Sequence, residues 1–309
     1  MTPEEFSLVQ FLLGPWLVGC FLDVFLQGIL FCQFSRYVSH HEGDKLGIKL
    51  AVFGLAILTT LKSVQSFALV WIQFIQHFAD VNGAILLNYT AWWQTGNALM
   101  VATIGAYVQV YFCHRLYVVS GFWWVVAPVA LILAFAYASI CAATYYISLG
   151  AAAGPKIALW FAAHLSSVFA GDIAMSVTMA FFLIRTKREV LPQTVGIIQA
   201  LIRLTFLTAA PAALCAMFNL IFSQVYSGDD KLISTAFNQI LPKLYAMSMM
   251  WTLNARQGIR EKNSRNYSSD YTSGGQRRAG VSAISFASLY PTESPLTIDC
   301  QTFTIEEHS

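Results

Sequence analysis

Charge is scarce in this chain. Lys and Arg number 18 and Asp and Glu 16, together 11% of 309 residues, where a soluble domain carries about 25% so that its surface is solvated. So few charges cannot cover a water-exposed globule of this size, so most of the exterior must face lipid. The basic patch or stripe that would hold a nucleic acid is missing. A disulfide framework is missing too: Cys20, Cys32, Cys113, Cys141 and Cys215 lie in or beside apolar runs, and Cys300 lies in the polar C-terminal segment. No spacing resembles a zinc site, so these cysteines read as small packing residues, and neither a metal nor another cofactor is expected. The N-terminal residues carry Glu4 and Glu5 instead of the positive region of a cleavable signal, and the apolar run that follows is too long for one. It is expected to remain as a span. No terminal lipidation motif is visible.

Apolar residues, by contrast, make up 57% of the chain, with a mean hydropathy of +0.58. About 20 mostly apolar residues cross about 30 Å of hydrocarbon. Seven runs qualify: Leu8–Phe34, Ile48–Phe74, Thr90–Cys113, Phe122–Ser148, Ile157–Ile184, Ile197–Tyr226 and Leu232–Asn254. They are continuous, unlike the short alternating strands of an outer-membrane barrel. The expected fold is therefore all-α, a polytopic seven-helix transmembrane bundle over residues 1–260. From Glu261 the composition turns to Ser, Thr, Gly, Arg and Asn, and residues 261–309 are expected to form a disordered cytoplasmic tail.

Basic residues set the orientation. Arg36, Lys45 and Lys49, then Arg115, then Arg185, Lys187 and Arg188 follow the first, third and fifth runs, while the other connections offer only Lys156 and Lys231. Lys and Arg stay on the cytoplasmic side, which puts the N-terminus outside. Arg256, Arg260 and Lys262 after the seventh run agree. Trp71, Trp92, Trp93, Trp123 and Trp124 sit near run ends, as an interfacial belt requires. Pro128, Pro211 and Pro242 fall inside runs and are expected to kink them. Asn88-Tyr89-Thr90 is a sequon in an outside loop, which makes Asn88 a candidate glycosylation acceptor close to the membrane.

Four charges stand near mid-membrane: Asp23, Lys62, Asp172 and Lys243. Each costs about 2.5–3.5 kcal/mol on insertion scales, so each needs a reason. Asp23 with Lys62, on consecutive antiparallel helices, is the easiest pairing, which leaves Asp172 with Lys243. Either the layer binds a ligand or ion, or it is interhelical glue assisted by Asn, Gln, Ser and Thr. Gln94, Asn97, Gln109 and Asn219 are further positions that could line the bundle. His164 reads as a packing residue, and Arg203 as one that snorkels.

Seven spans with an outside N-terminus is the topology of G-protein-coupled receptors, but the residues differ. Cys113-His114-Arg115 stands where the common class has Asp/Glu-Arg-Tyr, and Pro242-Lys243-Leu244-Tyr245 follows Leu241 rather than Asn. Retinal on Lys243 is disfavoured by Gln239 one turn earlier, where microbial rhodopsins place Asp, and by the absence of an acid in the third run. The repeated, interrupted halves of many transporters are not visible. Nor is a nucleophile elbow or a His-Glu-x-x-His motif, so enzymatic chemistry is not expected.

The segment from Lys243 to Arg256, Lys-Leu-Tyr-Ala-Met-Ser-Met-Met-Trp-Thr-Leu-Asn-Ala-Arg, resembles the closing motif Lys-Leu-Tyr-x-Asn-Ser-x4-Leu-Asn-Ala-Arg of a large family of fungal, mainly mushroom-type, seven-span membrane proteins of unknown function. Leu13-Gly14-Pro15, Gln33, Tyr37, Gln109, Phe112, Arg115 and Asp172 fit the same pattern. The resemblance covers roughly residues 8–260 and implies the fold and the membrane location, with no ligand or activity. Met247 stands where the family has Asn, and Lys62 and Gln65 stand where it often has Asp and His. Asn254 is expected to end its helix at the inner boundary, with Arg256 meeting headgroups.

The reading is a receptor-like or scaffolding protein of the plasma membrane or secretory pathway. It would sit in the lipid bilayer, take an unidentified ligand from outside, and meet a cytoplasmic protein through its inner loops and tail. The alternative is a transporter or channel-like protein using Asp23, Lys62, Asp172 and Lys243. Impermeant labelling of intact cells should reach a tag before residue 8 and miss one after residue 309; labelling of both or of neither would refute the odd span count.

Overall fold

The computed structural model describes residues 10–11, 13–40, 43–78, 80, 83, 86–87, 90–189, 210–224 and 233–273, without the side chains of residues 151, 186–189 and 256–273. The described residues are helical, with no strand. Helix α1 is Gly14–His40, and α2 is Leu46–Trp71 with a π-helical turn over Ile72–Gln76. A short α3, Trp92–Thr95, leads into α4, Asn97–Ser120, and α5 spans Trp123–Ser148. Then come α6, Gly154–Glu189, a helix α7 over Ala210–Gln224, and α8, Ile233–Ser273. The turn between α4 and α5 is made by Gly121, whose φ of 70° is the left-handed conformation that closes a helix.

Among the described residues, five helical segments are long and apolar enough to cross a membrane: Gly14–His40, Leu46–Gln76, Trp92–Ser120, Trp123–Ser148 and Gly154–Arg185. Their patterning is inverted relative to a soluble protein. Phe21, Phe25, Phe53, Phe67, Val110, Leu131 and Phe181 are exposed, while Asp23, Lys62, Lys243, Gln27, Gln109 and Gln239 are buried. An apolar surface of this extent is stable only against lipid. Arg36, Lys45, Lys156 and Arg185 are exposed and lie near helix ends, and Trp71, Trp92, Trp123 and Trp124 are exposed there too. The chain is thus an apolar-surfaced helical bundle with the composition of a membrane protein.

Contacts give the helix directions. Asp23 meets Ser63, and Gln27 meets Thr60, so α1 and α2 run antiparallel. Gln65 with the Trp93 carbonyl of α3 and Tyr107 of α4 with the Ala51 carbonyl do the same for α2 and the α3–α4 segment. Thr103 with Tyr137 sets α4 against α5, and His164 with the Ala136 carbonyl sets α5 against α6. On α7, Cys215 donates to the Phe237 carbonyl and Phe222 stacks on Phe237 with ring centroids 5.4 Å apart, which brings α7 against α8. Helix α8 runs parallel to α1: Gly19 lies against Ala236, Asp23 against Lys243, and Gln33 against Asn254.

Helix ends differ from the apolar-run ends, because hydropathy marks hydrocarbon and not the end of backbone hydrogen bonding. Helix α1 continues to His40, and α4 begins at Asn97 and carries Arg115 on the helix, buried, not in a loop. Helix α8 runs to Ser273, past the end of the apolar run at Asn254. Propensity does not explain this in a Ser- and Asn-rich stretch; extending an existing helix needs no new nucleus. Residues 274–309 lie outside those described, as do Asn88 and the whole of 190–209, which includes Arg203 and the first part of the expected sixth run. Pro128 and Pro242 lie within α5 and α8.

The α1–α8 contact is close because Gly19 has no side chain. A Cβ there would stand 3.0 Å from the Ala236 Cα and 3.1 Å from the Gln239 Cβ, the small-residue packing that lets membrane helices approach. Gly19→Leu should therefore lower stability in detergent by about 1–3 kcal/mol through overpacking. Gly28→Leu on the same helix, where nothing lies within 4 Å, should shift the thermal midpoint far less. Equal shifts would count against this contact.

Candidate functional site

Helix α8 carries polar side chains on two sides, and each side finds a cluster. Lys243 and Tyr245 are two residues apart, so they project about 200° from one another at nearly the same depth.

On the first side, Lys243 is 0% exposed. Its ammonium donates to Gln27 Oε1 at 2.6 Å, the Thr59 carbonyl at 2.5 Å and Ser63 Oγ at 2.8 Å, and stands 3.6 Å from Asp23 Oδ1. Ser63 in turn donates to Asp23 Oδ2 at 2.9 Å. An ammonium has three N–H donors, so α1 and α2 occupy all of them. Lys62 lies beside this group, also 0% exposed, and donates to Ser66 Oγ and Gln239 Oε1, each at 2.6 Å. Asp23, Thr59, Ser66 and Gln239 are buried as completely.

On the second side, Asp172 of α6 accepts from Gln109 Nε2 of α4 at 3.0 Å and from the Tyr245 hydroxyl of α8. One carboxylate thereby joins three helices. A small cavity of about 20 Å³ adjoins it, lined by Gln109, His164, Asn238 and Tyr245 among others, which is room for about one water. His164 points Nδ1 at the Ala136 carbonyl, 2.8 Å away, so its role in packing α6 on α5 is visible.

The structure brings all four midplane charges inside, but not in the expected pairs. Asp23 partners Lys243 and not Lys62, because the Lys62 side chain turns along its own helix to Ser66 and across to Gln239 of α8. Asp172 and Lys243 do not meet; they lie on opposite sides of α8. Asn254 does not end its helix. It is buried and donates to the Gln33 side chain at 2.8 Å and the Gln33 carbonyl at 3.1 Å, tying α8 to α1. Gln94, Asn97, Gln109 and Asn219 are all buried in the bundle.

Sequence reasoning passed over Gln27, Ser63, Ser66 and Thr59. Gln27 lies four residues after Asp23, and Ser63 and Ser66 lie one and four after Lys62; a search for polar residues one helical turn from each charge would have found most of them. Gln239 entered only as a missing rhodopsin acid.

Residues 168–258 match a family described as a family of unknown function (DUF6534). The matched segment holds Asp172, Lys243, Tyr245 and Asn254, while their partners Asp23, Gln109 and Gln33 precede it. The match fits an uncharacterised family and shows neither a fungal origin nor the closing motif. No curated protein matches the chain, and no solved structure does.

Tyr245→Phe removes the donor to Asp172 while keeping the ring in the core. A loss of about 1–3 kcal/mol is expected, since the carboxylate is left with one donor fewer. In the Asp172→Asn background the same change should cost clearly less, a comparison that thermal melts in detergent can make.

Proposed function

We propose that this chain is a seven-span, non-enzymatic integral membrane protein of the cell surface or secretory pathway, receptor-like or scaffolding, whose last helix is latched to the first two by buried charge. The parallel packing of α1 and α8 supports an odd number of crossings. Helices α7 and α8 would complete the set, α8 with reduced hydropathy because protein and not lipid surrounds it. The exposed basic residues Arg36, Lys45 and Arg185 gather at the end where Gln33 meets Asn254, which supports a cytoplasmic face there. That face and the tail would meet a protein partner, and the opposite half would admit a ligand.

The observation that carries this reading is the saturation of Lys243 by α1 and α2. A mid-depth joint built from one ion pair and three hydrogen bonds is discrete: it is made or broken, and does not deform gradually. Packed interfaces are bistable rather than continuously deformable, and known switching transitions repack ion pairs across them.

A second reading, a transporter or channel-like protein, is favoured by one observation. Lys62 is buried with neutral hydrogen-bond partners only, and intramembrane ionisable groups of this kind mark ion or proton routes.

A double-mutant cycle on Asp23→Asn and Lys243→Met tests the latch. Each single change should cost about 3–5 kcal/mol by stranding a buried partner, and the double variant should recover much of it; simple additivity would remove the latch. Flux into vesicles separates the two readings. Loss of solute or proton movement on neutralising Asp23, Lys62, Asp172 or Lys243, with surface expression intact, would favour transport.

A further inference from the structure

The buried cluster around Lys62 is electrostatically lopsided. Lys62 and Lys243 face one carboxylate, Asp23, whose Oδ2 accepts from Ser63 and whose Oδ1, buried without a hydrogen bond, is ion-paired with Lys243 at 3.6 Å. The Lys62 ammonium meets two neutral oxygens, Ser66 Oγ and Gln239 Oε1, and so keeps one N–H unspent. Lys62 also settles the orientation of Gln239: an ammonium offers no acceptor, so the amide must present its oxygen. Its Nε2 is then left as a wholly buried donor without a partner. Trp16, on the face of α1 that holds Cys20 one turn later, is buried with its indole N–H also unpartnered.

A cluster with two lysines to one aspartate, in which a Lys62 N–H and the Gln239 Nε2 beside it have nothing to donate to, has the chemistry of an anion site. We propose that Lys62, Ser66 and Gln239 hold one small monovalent anion, a halide or the carboxylate group of a small ligand, inside the bundle. The anion accepts the third Lys62 N–H and one Gln239 N–H, and brings two lysines and one aspartate to neutrality. Entry is from the α2 C-terminal end. Gln73, on the same face of α2 as Lys62 and Ser66, is buried there with neither amide atom partnered. It belongs to the π-helical turn Ile72–Gln76, a backbone irregularity frequent at functional sites. The site rests on the membrane-bundle reading above, and not on the latch.

The test uses the full chain, purified in detergent in sodium gluconate and titrated with chloride or acetate at constant ionic strength and pH. The thermal midpoint is followed by tryptophan fluorescence. A ligand that binds the folded state raises that midpoint saturably, and a rise of several degrees is expected with at least one anion. Chloride alone would mark a halide site, and acetate alone a carboxylate site. Lys62→Met should melt at one temperature whichever anion is present. Gln239→Glu, which supplies a fixed carboxylate beside Lys62, should also lose the anion response while staying folded in gluconate. The proposal is overturned if the wild-type midpoint is the same in all three anions, or if Lys62→Met keeps the rise. Should Lys62→Met not fold, a saturable rise retained by Gln239→Glu overturns it equally. A flat wild-type response with the Asp23–Lys243 cycle still coupled removes the anion site alone.

Discussion

A charged side chain surrounded by hydrocarbon must be matched from within the bundle, and Lys243 is matched by two helices at once. Gln27 and Asp23 come from α1, while Ser63 and the Thr59 carbonyl come from α2. Satisfying that one ammonium puts α8 in the groove between α1 and α2, at a fixed depth. The consequences spread along α1. Gly19 must be small for the backbones to approach, and Asn254 then falls level with Gln33 and closes the far end. The two ties lie eleven residues apart on α8, about 16 Å along its axis, so they fix tilt as well as depth.

This arrangement explains why α8 is not among the five helices apolar enough to cross a membrane by composition. Gln239, Lys243, Ser248, Thr252 and Asn254 are all buried in it, and each lowers its hydropathy. A peripheral helix such as α5 shows lipid most of its surface and must be apolar; among its buried residues are Val129, Ala136, Ser139, Ile140 and Ala143. A central helix shows lipid little and can be polar wherever a neighbour supplies a partner. Hydropathy therefore ranks helices by contact with lipid, and it ranks the helix that organises this bundle near the bottom.

The same distinction marks what could be read before the structure was seen. The helical class, the membrane character and the four interior charges were legible, because each depends on composition and on the cost of exposing charge to hydrocarbon. The pairing of those charges was not. Asp23 and Lys62 looked adjacent because their helices are consecutive, whereas the closer partner, Lys243, lies 220 positions further on, and one sequence carries no signal of that proximity. Arg115 and Asn254 were misplaced for a related reason: a polar residue at the end of an apolar run looks like a boundary, yet both sit inside helices and are buried. Gln33, Gln109, Asp172, Tyr245 and Asn254, which all stand in the resemblance pattern, fall into two partnered groups, Gln33 with Asn254 and Asp172 with Gln109 and Tyr245.

The register of α8 is the last thing the polar layer decides. On the face toward α1 and α2, Gln239 and Lys243 stand one turn apart, and the next turn brings Met247, buried in the apolar core. Sliding α8 by one turn in one direction would bring Met247 level with Asp23 and Gln27 and leave the carboxylate facing a thioether. Sliding it the other way would bring Gln239 there, trading an ammonium for an amide and drawing Lys243 away from its carboxylate. Neither alternative restores what the observed register provides. An Asn at 247, which the resemblance would lead one to expect, would give the first alternative a polar side chain to offer Asp23. Met at this position thus leaves the shifted register without a polar partner for Asp23, and of the three registers only the observed one sets an ammonium against that carboxylate.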